Sequence, residues 1–314
     1  MTTDVKQAFV FPGQGSQQVG MLTDIAAQWP DILSTFAEAS EVLDLDLWRL
    51  IQDGPQETLN LTENAQPALL ASSVAVWRLL VAQGMPAPAL MAGHSLGEWS
   101  ALVCAGVVDF RDAIKLVQLR GRYMQEAVPV GVGAMAAIIG LDDHLIEQCC
   151  LEAAQGEVVC AVNYNSPGQV VIAGHVAAVN RAGELCKAAG AKRALPLPVS
   201  APFHTTLMRP AADRLAEHVA QTMFKSPQVP IAHNVHAQTE LDPEKIKALM
   251  IEQIYSPVAW VKCVNLLASS GIGGVVEVGP GKVLCGLVKR INKDLQTSST
   301  DTVESVTQVL QTLS

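Results

Sequence analysis

Short apolar runs and longer segments of helical periodicity alternate along the first part of the chain. Ala8–Phe11 and Ala89–Ala92 are continuous apolar runs followed directly by glycine-containing turns, which predicts two buried strands. Longer periodic segments predict helices, among them a buried helix over Gln66–Gln83 and a charged helix over Phe110–Val128. Because strand, turn and helix recur in this order, we predict a parallel sheet covered by helices on both faces.

The pattern changes near Pro129, where a second set of elements with the order βαββαβ begins. This order is the split-βαβ pattern and predicts a compact lobe inserted into a larger one. We therefore predict a large lobe formed by residues 1–130 and 200–314, and a small lobe formed by residues 131–199. The polar stretch Thr297–Thr302 predicts the start of a loosely held tail. The predicted elements of the small lobe are strands at Gly133–Ile139, Val158–Asn163, Gln169–Ala173 and Ala191–Leu197, and helices at Asp142–Ala154 and Val176–Ala189.

The composition is that of a folded protein without features for nucleic acid or membranes. With 314 residues, 49% of them hydrophobic and 16% charged, the chain can bury a core. A formal net charge of −9 provides no electrostatic footprint for nucleic acid. The apolar run Pro67–Val81 is too short to cross a bilayer, so a buried helix is predicted there. Seven cysteines, an odd number without a CxxC pair, fit a reducing cytoplasm better than a disulfide framework.

A candidate nucleophile lies between a predicted strand and a predicted helix. Residues 93–97 read Gly-His-Ser-Leu-Gly and match the G-x-S-x-G pattern, with Ser95 at its centre. A sharp strand-to-helix turn of this kind exposes the serine oxygen, and the helix that follows directs its first N–H groups at the site. The pattern alone also fits an ordinary glycine-rich turn that happens to contain a serine.

A serine hydroxyl is a weak nucleophile until a base takes its proton, and His204 is the best candidate among seven histidines. It lies in an irregular segment with two prolines, residues 198–205, at the predicted junction of the lobes. His94 adjoins Ser95, but neighbouring side chains around such a turn point apart. His233 and His236 could suggest a metal pair, yet no third ligand cluster is evident, so we expect a surface loop and no metal.

Six motifs in order, spanning nearly the whole chain, resemble the malonyl-CoA:acyl carrier protein transacylase family. One such motif would be weak, but six with the spacing of the family are specific. The motifs are residues 11–17 (FPGQGSQ), 93–98 (GHSLGE), 118–122 (QLRGR), 165–169 (NSPGQ), the loop around His204, and residues 278–282 (VGPGK).

The resemblance implies an α/β fold, with an α/β-hydrolase-like large lobe that contains a short parallel sheet and an inserted ferredoxin-like small lobe. It also implies a cytoplasmic enzyme of fatty acid biosynthesis that moves malonyl from malonyl-CoA to acyl carrier protein by ping-pong transfer. No cofactor is implied, since the CoA thioester is a substrate. Consistently, residues 13–15 lack the third glycine of a dinucleotide fingerprint, and residues 279–282 lack the spacing of a phosphate loop.

The resemblance gives the catalytic roles to five residues. Ser95 resembles the nucleophile that carries the malonyl ester, and His204 resembles its base. Gln253 matches the position that orients the histidine in place of an acid. The backbone N–H groups of Gln14 and Leu96 resemble the oxyanion hole.

The resemblance also implies three substrate-binding residues. Arg120 is similar to the residue that holds the malonyl carboxylate, although the pattern by itself does not distinguish it from helix-surface arginines such as Arg111 or Arg122. His94 is expected to line the pocket. Phe203 is expected to crowd the malonyl α-carbon and so to exclude a methyl branch.

Two other functions fit parts of the same sequence. An esterase or thioesterase of the α/β-hydrolase type would use the same serine and would need an acidic triad residue, for which Asp142 or Asp143 could serve. A catalytically silent scaffold with the same fold is the second alternative, and the presence of all three residues Ser95, His204 and Arg120 argues against it.

Overall fold

A five-stranded parallel sheet forms the centre of the larger part of the molecule, which the computed structural model describes from residue 5 to residue 313. Its strand order is β7-β2-β1-β8-β9, and every neighbouring pair is parallel. The central strand β1 is buried on both faces, because Phe9 and Phe11 pack into one apolar cluster while Ala8 and Val10 pack into another. The strands are β1 (Gln7–Phe11), β2 (Leu90–Gly93), β7 (Ile231–Ala232), β8 (Gly274–Glu277) and β9 (Gln296–Ser299).

Helices cover both faces of this sheet. One of them, Thr62–Ala82, is long and apolar enough by length and composition to cross a membrane, and 78% of its most apolar window is buried inside the fold. It packs against four neighbouring helices, which span Leu33–Leu43, Gln56–Asn60, Leu96–Cys104 and Phe110–Glu126. The helices are α1 (Thr23–Gln28), α2 (Leu33–Leu43), α3 (Leu47–Asp53), α4 (Gln56–Asn60), α5 (Thr62–Ala82), α6 (Leu96–Cys104), α7 (Phe110–Glu126), α10 (Arg209–Gln221), α11 (Pro243–Glu252), α12 (Trp260–Ser269), α13 (Val283–Ile291) and α14 (Val303–Leu313), with 3₁₀ turns at Pro30–Ile32 and Thr206–Met208.

A separate four-stranded antiparallel sheet has the order β4-β5-β3-β6. Its two helices pack against the sheet through a cluster of small and aliphatic side chains. The order βαββαβ and the α/β fold class predicted from the sequence are confirmed, whereas the lobe boundaries at residues 131 and 199 stay predictions. The elements are β3 (Gly133–Ile139), α8 (Asp143–Ala154), β4 (Val159–Ser166), β5 (Gln169–His175), α9 (Val176–Ala188) and β6 (Arg193–Pro196).

The prediction of a loosely held tail from Thr297 onward is wrong. β9 adds to the edge of the parallel sheet beside β8, and α14 follows it. Val306 and Val309 on α14 are buried in the main apolar cluster. The tail is ordered because β9 pairs with the backbone of β8 and the last helix buries one apolar face.

The carboxyl ends of β1 and β2 bring the candidate site residues together. β1 ends at Phe11, directly before the loop that contains Gln14, and β2 ends at Gly93, directly before Ser95. The antiparallel sheet adjoins this region through β4, whose backbone bonds to Val258 near the start of α12. The carboxyl edge of the parallel sheet is therefore the place where an active site is expected.

A buried carboxyl group at the end of β8 makes the stability of the fold depend on pH. The Glu277 carboxylate is fully buried and accepts a hydrogen bond from the backbone N–H of Cys285 in the first turn of α13. Burial raises the pKa of Glu277 to about 7. Since the folded state holds this proton more tightly than the unfolded chain, the contribution of Glu277 is most favourable at acid pH and is lost as the pH rises through 7.

We therefore expect the Glu277→Gln variant to lose the decline in the free energy of unfolding that the native protein shows between pH 5 and pH 8. The decline attributed to this group is about 3 kcal/mol. Chemical denaturation at both pH values measures it, with the exposed-residue variant Glu57→Gln as the control. An unchanged decline in Glu277→Gln would show that this carboxyl group does not control the pH dependence.

Candidate active site

Ser95 lies in a tight turn between the end of β2 and the start of α6. Its φ of 52° is in the left-handed region that residues other than glycine rarely adopt, so the turn holds it in a strained conformation. A Cβ atom on Gly93 would collide with the backbone carbonyl carbon of Gly97, and one on Gly97 would collide with the carbonyl oxygen of Phe11. Both positions therefore require glycine, and Ser95 lines a cavity at this turn.

An imidazole lies within hydrogen-bond distance of the serine hydroxyl. His204 Nε2 is 2.8 Å from Ser95 Oγ, and His204 Nδ1 is 2.8 Å from the backbone carbonyl oxygen of Gln253. Because a carbonyl oxygen only accepts, Nδ1 carries the proton and Nε2 is the free base that faces the hydroxyl. Gln253 thus contacts the imidazole through its backbone carbonyl oxygen rather than through its side chain.

The surroundings of His204 keep its imidazole neutral. Burial and, secondarily, the positive charge of Arg120 lower the pKa of His204 to about 3. A neutral imidazole can accept a proton from a hydroxyl group at physiological pH.

The guanidinium group of Arg120, on α7, points at the same hydroxyl. Its Nη2 lies 3.2 Å from Ser95 Oγ and 2.9 Å from Gln253 Oε1, and its Nη1 donates to Gln66 Oε1 at 2.8 Å. The side chain is 2% exposed. Burial lowers the pKa of Arg120 to about 10, against the opposing effect of the Glu98 charge. Arg120 therefore remains positively charged at neutral pH beside the serine.

Comparison with known proteins identifies the family. The sequence matches the model of the acyl transferase domain over residues 8–309. The malonyl CoA-acyl carrier protein transacylase of Escherichia coli strain K12 is 58% identical over 304 residues, which are 97% of this chain and 98% of that protein. The chain belongs to the acyl transferase family.

Solved structures of acyl transferases have the same fold. An acyl carrier protein S-malonyltransferase from Vibrio cholerae matches with a TM-score of 0.95 and 60% identity, covering 97% of this chain and 99% of that one. A malonyl-transacylase in complex with its type II PKS acyl-carrier protein matches with a TM-score of 0.96 and 55% identity, covering 98% and 99%. The family and the enzyme class predicted from the six sequence motifs are confirmed.

The acyl transferase cavity has a volume of about 570 Å³. Among its lining residues, all within the described part of the chain, Arg120 is the one side chain charged at neutral pH. One group of lining residues carries amide side chains, which donate and accept hydrogen bonds without charge. These amides are Gln14, Gln17, Gln18, Gln56, Asn60, Gln66 and Asn163, and the apolar part of the lining is Leu96, Met124, Met135, Leu197, Pro198, Val199 and Phe203.

Two residues whose backbone N–H groups are free donors, among the residues that the structure describes, line this cavity beside the serine. Gln14 and Leu96 both line it, and Leu96 is the first residue of α6. Within residues 5–313 neither backbone N–H group has a hydrogen-bond acceptor. Free donors at the N-terminus of a helix favour negative charge that develops on a nearby oxygen.

His94 and Phe203 also lie in the cavity lining. His94 Nε2 is 2.8 Å from Asn165 Oδ1, and burial lowers the pKa of His94. The His94 imidazole is bound to Asn165 of β4, so His204 is the imidazole that contacts Ser95.

Sequence reasoning missed three residues that support the acyl transferase site. Asn234 binds the serine turn, because its Oδ1 accepts from the Ser95 N–H and its Nδ2 donates to the Gly93 carbonyl, both at 2.7 Å. Gln66 accepts from Arg120, and Glu98 lies behind the turn. The sequence signals for Glu98 are its place at the end of the motif 93–98 and an acidic side chain within a mainly apolar helix.

One expectation about a single residue is wrong, and one alternative is excluded. His233 is not in a surface loop: it is fully buried and its Nδ1 lies 2.7 Å from the Glu98 carboxylate, although His236 is exposed. The alternative of an acid at Asp142 or Asp143 also fails, because these residues lie at the start of α8 and the Nδ1 of the base is bound by a carbonyl oxygen. Within residues 5–313, no three His, Cys, Asp or Glu side chains are placed to hold a metal ion.

Proposed function

We propose that the chain is a malonyl-CoA:acyl carrier protein S-malonyltransferase of fatty acid biosynthesis. The Escherichia coli relative and the Vibrio cholerae structure carry this activity in their names, each aligned over 97% of this chain. The observation that carries the proposal is the buried guanidinium of Arg120, 3.2 Å from the Ser95 hydroxyl. The carboxylate of a malonyl group lies two bonds from the carbon that the serine attacks. One pocket can therefore place that carbon at Ser95 and the carboxylate at Arg120.

In the first half-reaction Ser95 Oγ attacks the thioester carbon of malonyl-CoA while His204 Nε2 takes the hydroxyl proton. Negative charge moves to the carbonyl oxygen, which the N–H groups of Gln14 and Leu96 stabilise; losing one such donor typically raises a barrier by roughly 3–4 kcal/mol. The C–S bond then breaks, and His204 returns its proton to the sulfur. CoA leaves as the thiol and the malonyl ester remains on Ser95.

The second half-reaction reverses these steps with a different thiol. His204 takes the proton of the phosphopantetheine thiol of acyl carrier protein, and the sulfur attacks the ester carbon. The C–O bond to Ser95 breaks, and the serine oxygen recovers the proton from His204. Malonyl-acyl carrier protein leaves, and the enzyme returns to its starting state.

Arg120 selects the substrate in two ways, because it attracts the malonyl carboxylate and it disfavours acyl groups that lack a carboxylate. The planar guanidinium group can form two parallel hydrogen bonds to the malonyl carboxylate, a match that lysine does not offer. An acetyl group would leave this buried charge without an anionic partner, which disfavours it. When the carboxylate is bound, it also neutralises the charge that opposes protonation of His204, so the base becomes stronger when the correct substrate is present.

The low pKa of His204 predicts an unusual pH dependence of acylation. Since the imidazole is neutral above about pH 3, kcat/KM for malonyl-CoA should change less than about twofold between pH 8 and pH 5. An imidazole with an ordinary pKa near 6.5 would give a fall of about 30-fold over the same range. Quenched-flow measurement of the malonyl-enzyme tests this, with circular dichroism at each pH as the control for folding, and a fall with a midpoint near 6.5 would contradict it.

Phe203 is proposed to restrict the α-carbon of the acyl group. Its ring is 9% exposed and lines the cavity next in sequence to the base. We expect Phe203→Ser to raise kcat/KM for methylmalonyl-CoA by about tenfold relative to malonyl-CoA, the effect of one relieved methyl contact. Competition between the two thioesters measures the ratio. Equal turnover of both by the native enzyme would rule out this role.

The reaction as proposed needs no cofactor, because the two thiols and the serine exchange one acyl group and one proton. We also propose that the enzyme works in the cytoplasm. All seven cysteines are free thiols, which fits a reducing compartment.

Initial rates test the proposed function. With malonyl-CoA and holo-acyl carrier protein both varied, ping-pong transfer predicts parallel double-reciprocal lines and malonyl-acyl carrier protein as product. Release of free malonate faster than transfer would instead identify a hydrolase. Intersecting lines would exclude an enzyme-bound ester that forms before the carrier protein binds.

A further inference from the structure

A buried carboxylate behind the serine turn has no role in the chemistry described above. Glu98, the third residue of α6, is 1% exposed. Its Oε1 accepts from His233 Nδ1 at 2.7 Å, and its Oε2 accepts from the Asn234 backbone N–H at 3.2 Å and from Gln253 Nε2 at 2.6 Å. A buried carboxylate is costly unless hydrogen bonds and a partner compensate it, so the loss of any of these bonds should have a measurable effect.

The contact with Gln253 fixes which way round its side-chain amide lies. Gln253 Nε2 faces two acceptors, the carboxylate of Glu98 and the carbonyl oxygen of Ser95 at 3.0 Å. Gln253 Oε1 faces Arg120, which can only donate. Rotating the amide by half a turn would place two donors against each other on one side and acceptors against each other on the other. Glu98, together with the Ser95 carbonyl, therefore fixes the amide so that an oxygen, not an NH₂ group, faces the guanidinium.

We propose that Glu98 is a positioning residue that sets the preference for malonyl over uncharged acyl groups by acting through Gln253 on Arg120. The proposal rests on the proposed function, since it concerns the residue that binds the malonyl carboxylate. Without the carboxylate, Gln253 Nε2 keeps only the Ser95 carbonyl as an acceptor, so the amide that positions the guanidinium beside Ser95 is held less firmly. The malonyl carboxylate then meets a guanidinium whose bond to Gln66 is unchanged but whose bond to Gln253 is weakened.

The Glu98→Met variant tests this proposal, because methionine has a similar length but accepts no strong hydrogen bond. We expect kcat/KM for malonyl-CoA to fall about 10- to 100-fold, the factor for one hydrogen bond to a charged group. We expect kcat/KM for acetyl-CoA, and labelling of Ser95 by a fluorophosphonate probe, to change less than about threefold. Equal losses with malonyl-CoA, acetyl-CoA and the probe would mean that Glu98 only supports the serine turn, and would overturn the proposal.

A conservative variant and a matched control sharpen the result. Glu98→Gln keeps an oxygen that can accept from Gln253 once His233 exchanges its ring proton, so it should restore most of the malonyl preference. Glu277→Gln, a buried glutamate outside the active site, should leave the preference unchanged. If Glu98→Gln loses the malonyl preference as fully as Glu98→Met, the hydrogen bond to Gln253 is not the cause and the proposal fails.

A second variant covers the case in which Glu98→Met does not fold. Gln253→Met removes the amide but leaves the backbone carbonyl that binds His204, so it should show the same selective loss of malonyl transfer. Equal losses with both thioesters in this variant would overturn the proposal. Absence of malonyl transfer by the native enzyme would overturn the proposed function itself, which is a distinguishable outcome.

Discussion

Replacing Ser95 with alanine abolishes the covalent malonyl-enzyme and lowers malonyl transfer by about 10⁴- to 10⁶-fold, the loss expected when the nucleophile of a cooperating serine–histidine pair is removed. The cause is direct, because the variant keeps the pocket and the oxyanion donors but has no oxygen to form the ester. Steady-state transfer to acyl carrier protein and mass spectrometry of the enzyme measure the two effects. Thermal unfolding should be little changed, since the strain at φ 52° belongs to the backbone.

Ser100→Ala provides the matched control for this prediction. Ser100 lies on the same helix, is fully buried, and its hydroxyl has no hydrogen-bond partner within the described residues. Its removal should leave transfer within about twofold of the native rate. If Ser95→Ala kept more than about one-hundredth of the native transfer rate, the covalent route would be contradicted. Substrate binding and the oxyanion hole alone give a far smaller rate.

Arg120→Ala should lower kcat/KM for malonyl-CoA by about 10²- to 10⁴-fold, which corresponds to roughly 3–5 kcal/mol for removing one partner of a buried ion pair. With acetyl-CoA the loss should be much smaller, because acetyl never pairs with the guanidinium and the variant no longer buries an uncompensated charge. The ratio of the two values of kcat/KM is the decisive quantity. Arg120→Lys should not restore malonyl transfer, because an ammonium group lacks the planar fork.

Arg122→Ala separates selection of the substrate from a general effect of charge on this helix. Arg122 lies on the same helix two residues further on and pairs with Glu63 at the surface, where its side chain is 47% exposed. The Arg122→Ala variant should change kcat/KM for malonyl-CoA and for acetyl-CoA by no more than about twofold. Equal losses of malonyl and acetyl transfer in Arg120→Ala would contradict a role in substrate selection and would assign Arg120 to the structure of the serine turn.

Local patterns were sufficient to predict two strands of the parallel sheet, the antiparallel sheet and the turn that holds Ser95. The glycines at positions 93 and 97 are signals of a close backbone approach, and the structure shows that neither position has room for a Cβ atom. His204 could be singled out because two prolines make its loop irregular, and its φ of 63° shows how far the loop departs from regular structure. Such constraints act over a few residues, so a single sequence contains them.

Arg120 and Gln253 show what the residues alone cannot give. Among the basic residues of α7, periodicity does not distinguish Arg120 from Arg122, because the choice depends on which side of the helix meets the serine turn. The resemblance to a family supplied that choice. Gln253 was expected to contact His204, but the contact is made by its backbone carbonyl oxygen. The direction in which a backbone carbonyl points cannot be read from the pattern of side chains.

The errors at His233 and at the C-terminal elements have different causes. The partner of His233 is Glu98, 135 residues away along the chain, so no local signal announces a buried pair. The last helix was detectable in principle, because Val306, Val309 and Leu313 repeat at helical spacing and its inward face is apolar. The preceding strand was not, since its four residues are polar and only the neighbouring strand orders them.

Mass spectrometry of the native enzyme mixed with malonyl-CoA, followed by peptide mapping, tests the central claim most directly. The account predicts one malonyl group on the peptide that contains Ser95, and its disappearance when holo-acyl carrier protein is added. No adduct, or a malonyl group on a different residue, would contradict a mechanism in which this serine carries the acyl group between the two thiols.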